Sequence, residues 1–186
     1  MVEVQVENIV VSFTISSSLD LPKLAKILPD ATYNPDKVPA IVLQFSKPRS
    51  MATLCSNGNV VVTGLRSMEE VHDVVKMITD RLNVFDVQID KAPEISIQNV
   101  TMSTDLQQSL KLRRLAHSLQ TVEYTPKVFP GLVYKGDDPN TVILLFDSGK
   151  IVCNGTTLEE VTVALDKMLE KLLLFGIKKE ENVCQK

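Results

Sequence analysis

Asn8 and Asn99 stand ninety-one residues apart, each in a strand-like apolar run, "VENIVVSFTI" and "ISIQNVTMST". A carboxamide there offers a donor and an acceptor without a charge. Thr63, Thr101 and Asn154 add further uncharged polar groups. Val10, Val61, Leu144, Phe146 and Val152 fall on the same strand faces by two-residue alternation. A smooth apolar surface with a few amides and hydroxyls is suited to recognition rather than to bond making. No GxGxxG, GKS, HExxH or CxxC motif and no Ser/His/Asp set is present. Cys55, Cys153 and Cys184 are odd in number and widely spaced, and His72 and His117 lie on helical stretches without a partner pattern. The sequence predicts no enzyme, no cofactor and no metal.

The elements that position these residues are written twice. "YNPDKVPAIVLQFSKPRSMATLCSNGNVVVTG", from Tyr33 to Gly64, returns as "YTPKVFPGLVYKGDDPNTVILLFDSGKIVCNG", from Tyr124 to Gly155. An offset of 91 pairs the halves without a gap: Leu19 with Leu110, Ala25 with Ala116, Pro35 with Pro126, Gly58 with Gly149, Gly64 with Gly155. That period is too long for a solenoid unit and predicts two copies of a small domain, 1–91 and 92–186, related by a pseudo-twofold.

Each copy reads as a strand, a short helix, several strands and a long amphipathic helix. "LDLPKLAKIL" has Asp20 as its cap and Pro22 in its first turn; "LKLRRLAHSL" is its counterpart. "SNG" and "DSG" mark hairpin turns. In "SMEEVHDVVKMITDRL", Met68, Val71, Val74, Val75, Ile78 and Leu82 form one stripe, with Ser67 as cap and Glu69 and Glu70 in the first turn. "TLEEVTVALDKMLEKLLLF" repeats that design behind Thr156 or Thr157. "DKAPE" joins the copies, and the tail "KKEENVCQK" is polar and expected to fray.

With 186 residues at 44% apolar and 23% charged, the chain has material for two small cores. A net charge of −3 supplies no global basic field, so a polyanion would be held by a local patch or by shape. The cysteine usage suits a reducing compartment, no run is long enough to span a bilayer, and "MVEVQVENIV" lacks a signal peptide's basic head. These features predict an intracellular soluble protein without a membrane partner.

Helices can cover only one face of each sheet. The other keeps the apolar and amide groups named above, where an antiparallel sheet ordinarily shows water charged side chains. Such a patch is covered by a partner, by loops or by a second copy of the chain. Phe146 falls opposite Ile143 and Leu145, so it is a core residue only if they are not.

The paired "Y-x-P" segments, "FPGLVY", "ENIV", "QNV", "SNGNVVVTG" and "LLFDSGKIV" resemble the TATA-box-binding protein family over nearly the whole chain, roughly Val4 to Phe175. The short N-terminus and acidic balance are more similar to its archaeal form. The resemblance implies an α+β saddle: a pseudo-twofold, ten-stranded curved antiparallel sheet with four helices on the convex face. It implies a general initiation factor that binds A·T-rich promoter DNA, the TATA box, in the minor groove. It then recruits transcription factor B and RNA polymerase, in the cytoplasm or nucleoid of an archaeon or the nucleus of a eukaryote. Minor-groove binding through apolar wedges is a mode for which this family is itself a standard example. The groove's degenerate acceptor pattern at A·T pairs suits an apolar surface with few amides.

Carried over by position, the resemblance makes Asn8 and Asn99 the central base-contacting pair, with Thr63 beside them, and puts Thr101 and Asn154 on the same surface. Val10, Val61, Leu144 and Val152 would pack on sugars and base edges, and Phe129 and Phe146 would unstack a base step. Lys135 and Lys150 would meet phosphates and Ser148 would bond to the DNA backbone. The loop from Tyr124, with Thr125 and Lys127, would meet factor B. Without DNA the apolar face would allow a homodimer.

The first copy departs from the family pattern. Val38 and Cys55 stand at its wedge positions, Gln44 and Asn59 where the family is basic, and Asp36 beside Lys37 in a basic cluster. In the second copy Thr101 and Asn154 replace a valine and a threonine, and Thr125 and Lys127 replace glutamates. Arg49 and Arg66 are basic, without a readable orientation. These departures imply an asymmetric DNA binder. The alternative is a paralogue or interaction module with weak or altered DNA binding, acting mainly through protein partners.

Overall fold

A computed structural model describes residues 3–85, 87, 89, 93–136 and 140–177. The chain runs β1 (Val4–Thr14), α1 (Leu21–Ile27), β2 (Ala31–Asn34), β3 (Val38–Ser46), β4 (Arg49–Cys55), β5 (Asn59–Leu65) and α2 (Met68–Asn83). It repeats as β6 (Ser96–Asp105), α3 (Leu112–Ser118), β7 (Val122–Glu123), β8 (Leu132–Tyr134), β9 (Val142–Leu145), β10 (Lys150–Gly155) and α4 (Leu158–Leu174). The ten strands follow the order β2-β3-β4-β5-β1-β6-β10-β9-β8-β7. The joining residues Asp90–Ala92, Pro139 and the tail from Lys178 that includes Cys184 lie outside the described residues.

The register repeats the duplication. Ser12, Val61, Thr53, Val42 and Thr32 form one cross-strand row. Adding 91 to each gives the row Ser103, Val152, Leu144, Val133 and Glu123, which is also formed. The gapless offset does not extend through the end of β5, however. Val100 pairs with Gly155 in regular register, whereas Ile9 pairs with Leu65 and Val11 with Val62. Val10 alone thus faces two residues of β5, Thr63 and Gly64, a bulge whose extra residue is Gly64 at φ +95°. From Leu65 onward the offset is 90. Ser67 and Thr157 are the equivalent caps, each accepting the N–H three residues on, from Glu70 and Glu160, at 3.1 Å. The doubled glycines conceal the insertion in the sequence.

Each short helix has the expected position, but only α1 has a side-chain cap: Asp20 accepts from Lys23 N at 3.0 Å, and Lys111 gives α3 none. Helix α2 buries Val71, Val74, Val75, Ile78 and Leu82, while Met68, assigned to that stripe by spacing, stays half-exposed at the first turn. Helix α4 buries Val161, Leu165, Met168, Leu169 and Leu172. On β5 Val60 and Val62 are fully buried and Val61 and Thr63 are not; on β10 Ile151 and Cys153 are buried and Val152 and Asn154 are not. With α2 against β5 and α4 against β10, the helices cover one face of the strands in each unit and leave the other free of them. Each core side chain so buried contributes roughly 1.5–3 kcal/mol.

Two compact units result, Asn8–Gln98 and Met1–Glu7 with Asn99–Lys186. The start of β1 belongs with the second repeat for local reasons: Ser103 Oγ donates to Glu7 Oε1 at 2.5 Å, and Thr104 Oγ1 to the Glu3 carbonyl at 2.8 Å. In the same manner Gln98 joins the first repeat by donating to Ser12 Oγ at 2.8 Å.

Candidate nucleic-acid interface

In the unit Asn8–Gln98 the helix-free face carries half-buried Asn8, Val10, Ser12, Val42, Thr53, Val61 and Thr63. The β5 bulge determines what Asn8 does there. A bulge frees a backbone N–H from the ladder, and Gly64 N donates to Asn8 Oδ1 at 2.7 Å, with Thr63 Oγ1 donating to the same atom at 3.4 Å. A backbone N–H can only donate, so Oδ1 is the amide's accepting end and is committed to the protein. Asn8 Nδ2 is thereby left as the amide's donor.

In the unit Met1–Glu7 with Asn99–Lys186, β10 keeps a regular register against β6 and the arrangement differs. Asn99 Nδ2 donates to Thr101 Oγ1 at 3.3 Å, and Thr101 Oγ1 donates to Asn154 Oδ1 at 2.7 Å. The relay ends on Asn154 Oδ1 and leaves Asn154 Nδ2 as the amide's donor. Both units therefore present an amide donor among Val, Leu and Thr side chains, from Asn8 in one and from Asn154 in the other. Asn99 is brought beside Thr101 and Asn154, as face alternation implies.

Phe129 and Phe146 meet edge-on, ring centroids 5.9 Å apart and planes at 69°. Phe129 is 37% exposed and Phe146 half-buried, so neither ring is core. Strand β9 stops at Leu145, and Phe146 opens the turn with its N–H on the Lys150 carbonyl at 3.0 Å. Gly131 lies beneath the pair. A Cβ there would approach Phe129 Cε1 to 2.7 Å and Phe146 Cε1 to 3.1 Å, so any larger residue would push the ring edges outward. Sequence reasoning missed Gly131; its pairing with Ala40 at the offset of 91 was the available signal. In the first repeat Val38 is 48% exposed, Cys55 is half-buried, and Cys55 pairs across the strands with buried Ala40.

The two lysines are not free cations. Lys135 Nζ lies 2.6 Å from Glu123 Oε1, and Lys150 Nζ 3.7 Å from Glu7 Oε1. Their repeat equivalents are neutral on both sides: Gln44 with Thr32, and Asn59 with Gln98. Ser148 is exposed in the hairpin turn, where its Oγ accepts from Lys150 N at 3.3 Å. Leu144 and Val152 share a cross-strand pair, half-buried, as expected of that face. Glu7, Ser103, Val133 and Val42 adjoin the candidate residues and were missed, because placing them needs the cross-strand register.

The loop after β7 is compact. The Thr125 carbonyl accepts from Val128 N at 2.9 Å and Phe129 N at 3.0 Å. Tyr124 is half-buried, Thr125 and Lys127 are exposed, and Val128 is 84% exposed. Arg49 and Arg66 are both exposed, and so are His72 and His117. Burial pushes the Cys153 thiol up to about 12. Among the described residues no helix is long and apolar enough to cross a membrane, and no three metal-ligating side chains come together.

Comparison with known proteins agrees with this geometry. A family model described as transcription factor TFIID (or TATA-binding protein, TBP) matches residues 3–85 and 94–175, one stretch per repeat. A TATA-box-binding protein of Thermococcus sibiricus is 40% identical over 181 residues, covering 97% of this chain and 98% of that protein. TATA-box-binding protein 2 of Haloferax volcanii is 40% identical over 177 residues, 94% of this chain and 95% of its own. The solved structure of Methanococcus jannaschii TBP superimposes with a TM-score of 0.82 at 37% identity, covering 90% of this chain and 97% of that one. Repeat, strand order and relatives converge: the chain belongs to the TATA-box-binding protein family, of DNA-binding transcription factors rather than enzymes.

Proposed function

We propose that the chain is a transcription initiation factor that lays the open face of each repeat against the minor groove of A·T-rich promoter DNA. The observation that carries this reading is the edge-on Phe129–Phe146 pair, one ring exposed and one half-buried, beside a half-apolar face with few charges. Asn8 Nδ2 and Asn154 Nδ2 donate to the acceptors, N3 of adenine and O2 of thymine, that every A·T pair shows in that groove. A guanine amino group would meet Val61, Val152 or Leu144 with no acceptor, which costs roughly 1–3 kcal/mol per unpaired donor. Phe129 and Phe146 enter a base step and replace lost base stacking with aromatic contact, so the duplex bends away from the protein. Lys135 and Lys150 exchange their carboxylates for phosphates. Asn99 and Thr101 hold Asn154, while Val10 and Thr63 fill the surface around Asn8.

The Tyr124–Phe129 loop, with Thr125, Lys127 and Val128 outward, is the surface offered to transcription factor B, through which the polymerase machinery is recruited. Without DNA, a second copy can cover the same open faces. The protein works inside the cell, at promoters.

A titration against TATA and G·C-rich duplexes over a range of salt tests the reading, with Phe129→Ala and Phe146→Ala in parallel. Tighter binding to TATA, weakened roughly tenfold or more by either substitution, is expected from stacking energies of about 1–3 kcal/mol per base. Equal affinity for both duplexes, unaltered by either substitution, overturns it. That outcome would favour the interaction-module reading, for which Val38 and Cys55, in place of wedge rings, are the supporting observation.

A further inference from the structure

The second repeat keeps three residues together: Phe129, Gly131 and Phe146. The first repeat has Val38, Ala40 and Cys55 at the same three places, and the three differences belong to one another. Gly131 leaves the space that both ring edges occupy, within 2.7 Å and 3.1 Å of a Cβ that is not there. Ala40 supplies that methyl group, is 4% exposed, and pairs directly with Cys55. A phenylalanine at 38 or 55 would therefore meet the Ala40 methyl where the rings of the second repeat have open space. The set Val38–Ala40–Cys55 is a self-consistent packing without a wedge, rather than a wedge short of one ring.

Resting on the DNA-binding reading above, we propose that only the second repeat opens a base step, and that the protein alone therefore binds a promoter element in one orientation. Base steps differ in how readily they unstack. Pyrimidine–purine steps such as TA open easily and A-tracts resist. A ring pair that must open a step gains most at the flexible end of an asymmetric element. Valine and cysteine, which only lean on the groove floor, are indifferent to stiffness. The Phe129–Phe146 half is thus directed to the flexible end and the Val38–Cys55 half to the stiff end. Other differences act in the same sense. Lys135 and Lys150 flank the wedge half, where Gln44 and Asn59 stand in the other, so phosphates drawn inward by a kink meet these two charges only where the kink forms.

The test uses the full chain and an A·T-rich duplex with a TA step at one end and an A-tract at the other. 2-Aminopurine, which brightens on unstacking, replaces adenine at either end in separate duplexes. The expected result is brightening at the TA end alone. A cleavage reagent tethered at an added surface cysteine on α4, in a chain lacking its own cysteines, should cut one end over the other by roughly tenfold. Inverting the duplex should invert the cut. In Val38→Phe/Ala40→Gly/Cys55→Phe, a second wedge with its own seat, both ends should brighten and the cutting bias should fall towards even. Equal brightening at both ends by the unaltered protein, or even cutting despite tight binding, overturns the inference and leaves the DNA-binding reading intact. Failure to bind any A·T-rich duplex overturns that reading itself, and this inference with it.

Discussion

Gly64 donates its backbone N–H to Asn8 Oδ1 at 2.7 Å, and this bond makes a structural residue of one read from the sequence only as a ligand contact. The bulge and the amide depend on each other. The bulge would leave Gly64 N without a ladder partner, and the amide would lack a fixed orientation. The two roles separate by substitution. Asn8→Ala removes the acceptor and should lower stability in urea by about 1 kcal/mol. Asn8→Asp keeps the acceptor and should unfold close to the unaltered midpoint. Both lose the amide donor, so both should bind TATA duplex more weakly. An Asn8→Asp protein with unimpaired affinity would show that Nδ2 faces no base.

Gly131→Ala should affect DNA bending far more than folding. The new Cβ would press on Phe129 Cε1, the free edge of a ring 37% exposed, which can move outward. Gly131 does not occupy the left-handed region, so alanine also gains about 0.4–1 kcal/mol through a less flexible unfolded chain. The two effects oppose, and the unfolding free energy should stay within about 1 kcal/mol of the unaltered protein. The splayed rings should no longer enter a step together, and the bend reported by circularly permuted duplexes should shrink.

Much of this was legible in the sequence because alternation and repetition are local signals. Val60 and Val62 against Val61 and Thr63 gave the two faces of β5, and the offset of 91 related Phe129 and Phe146 to Val38 and Cys55. The bulge was hidden because Gly64 aligns with Gly155 residue for residue, although Leu65 is the residue that takes the place of Gly155 in the ladder. Partnerships between strands were hidden for a different reason. Glu7 with Ser103, and Lys135 with Glu123, depend on register, and a one-residue slip would turn either pair to opposite faces. Asn99 illustrates the limit. Symmetry with Asn8 suggested the same role, but beside a regular β6–β10 register its amide holds Thr101, and Asn154 keeps the uncommitted amide nitrogen.

The carboxylates beside the lysines should restrain DNA binding. Lys135–Glu123 and Lys150–Glu7 are surface pairs with side chains between 34% and 66% exposed, each worth at most about 1 kcal/mol. Glu123→Gln and Glu7→Gln should each tighten TATA binding by up to about fivefold at low salt. Glu7→Gln retains the oxygen that accepts from Ser103, so its folding should be little changed. Lys135→Ala should loosen binding and reduce the slope of log affinity against log salt by about one, the signature of one phosphate contact. A slope unchanged by Lys135→Ala would assign that lysine to Glu123 alone.

Cys153 should make the fold sensitive to alkali. Its side chain is fully buried, and the thiol is raised from 9.0 to about 12 because burial disfavours the thiolate. The sign follows from which state holds the proton. Below about pH 9 the thiol is protonated both folded and unfolded, and it contributes no pH dependence. Between about 9 and 12 the unfolded chain releases the proton and the folded chain retains it, so stability falls as pH rises, by at most about 1.4 kcal/mol per unit. Val62 occupies the equivalent place in the first repeat, also fully buried. Cys153→Val should therefore be accommodated at neutral pH and should flatten the alkaline limb of a urea-midpoint profile. Cys55, half-buried at the end of β4, should react with a thiol reagent in the folded protein while Cys153 reacts only after unfolding, measured with Cys184 replaced by serine. An alkaline limb equally steep with and without Cys153 would mean that other groups, not this thiol, destabilise the fold at high pH.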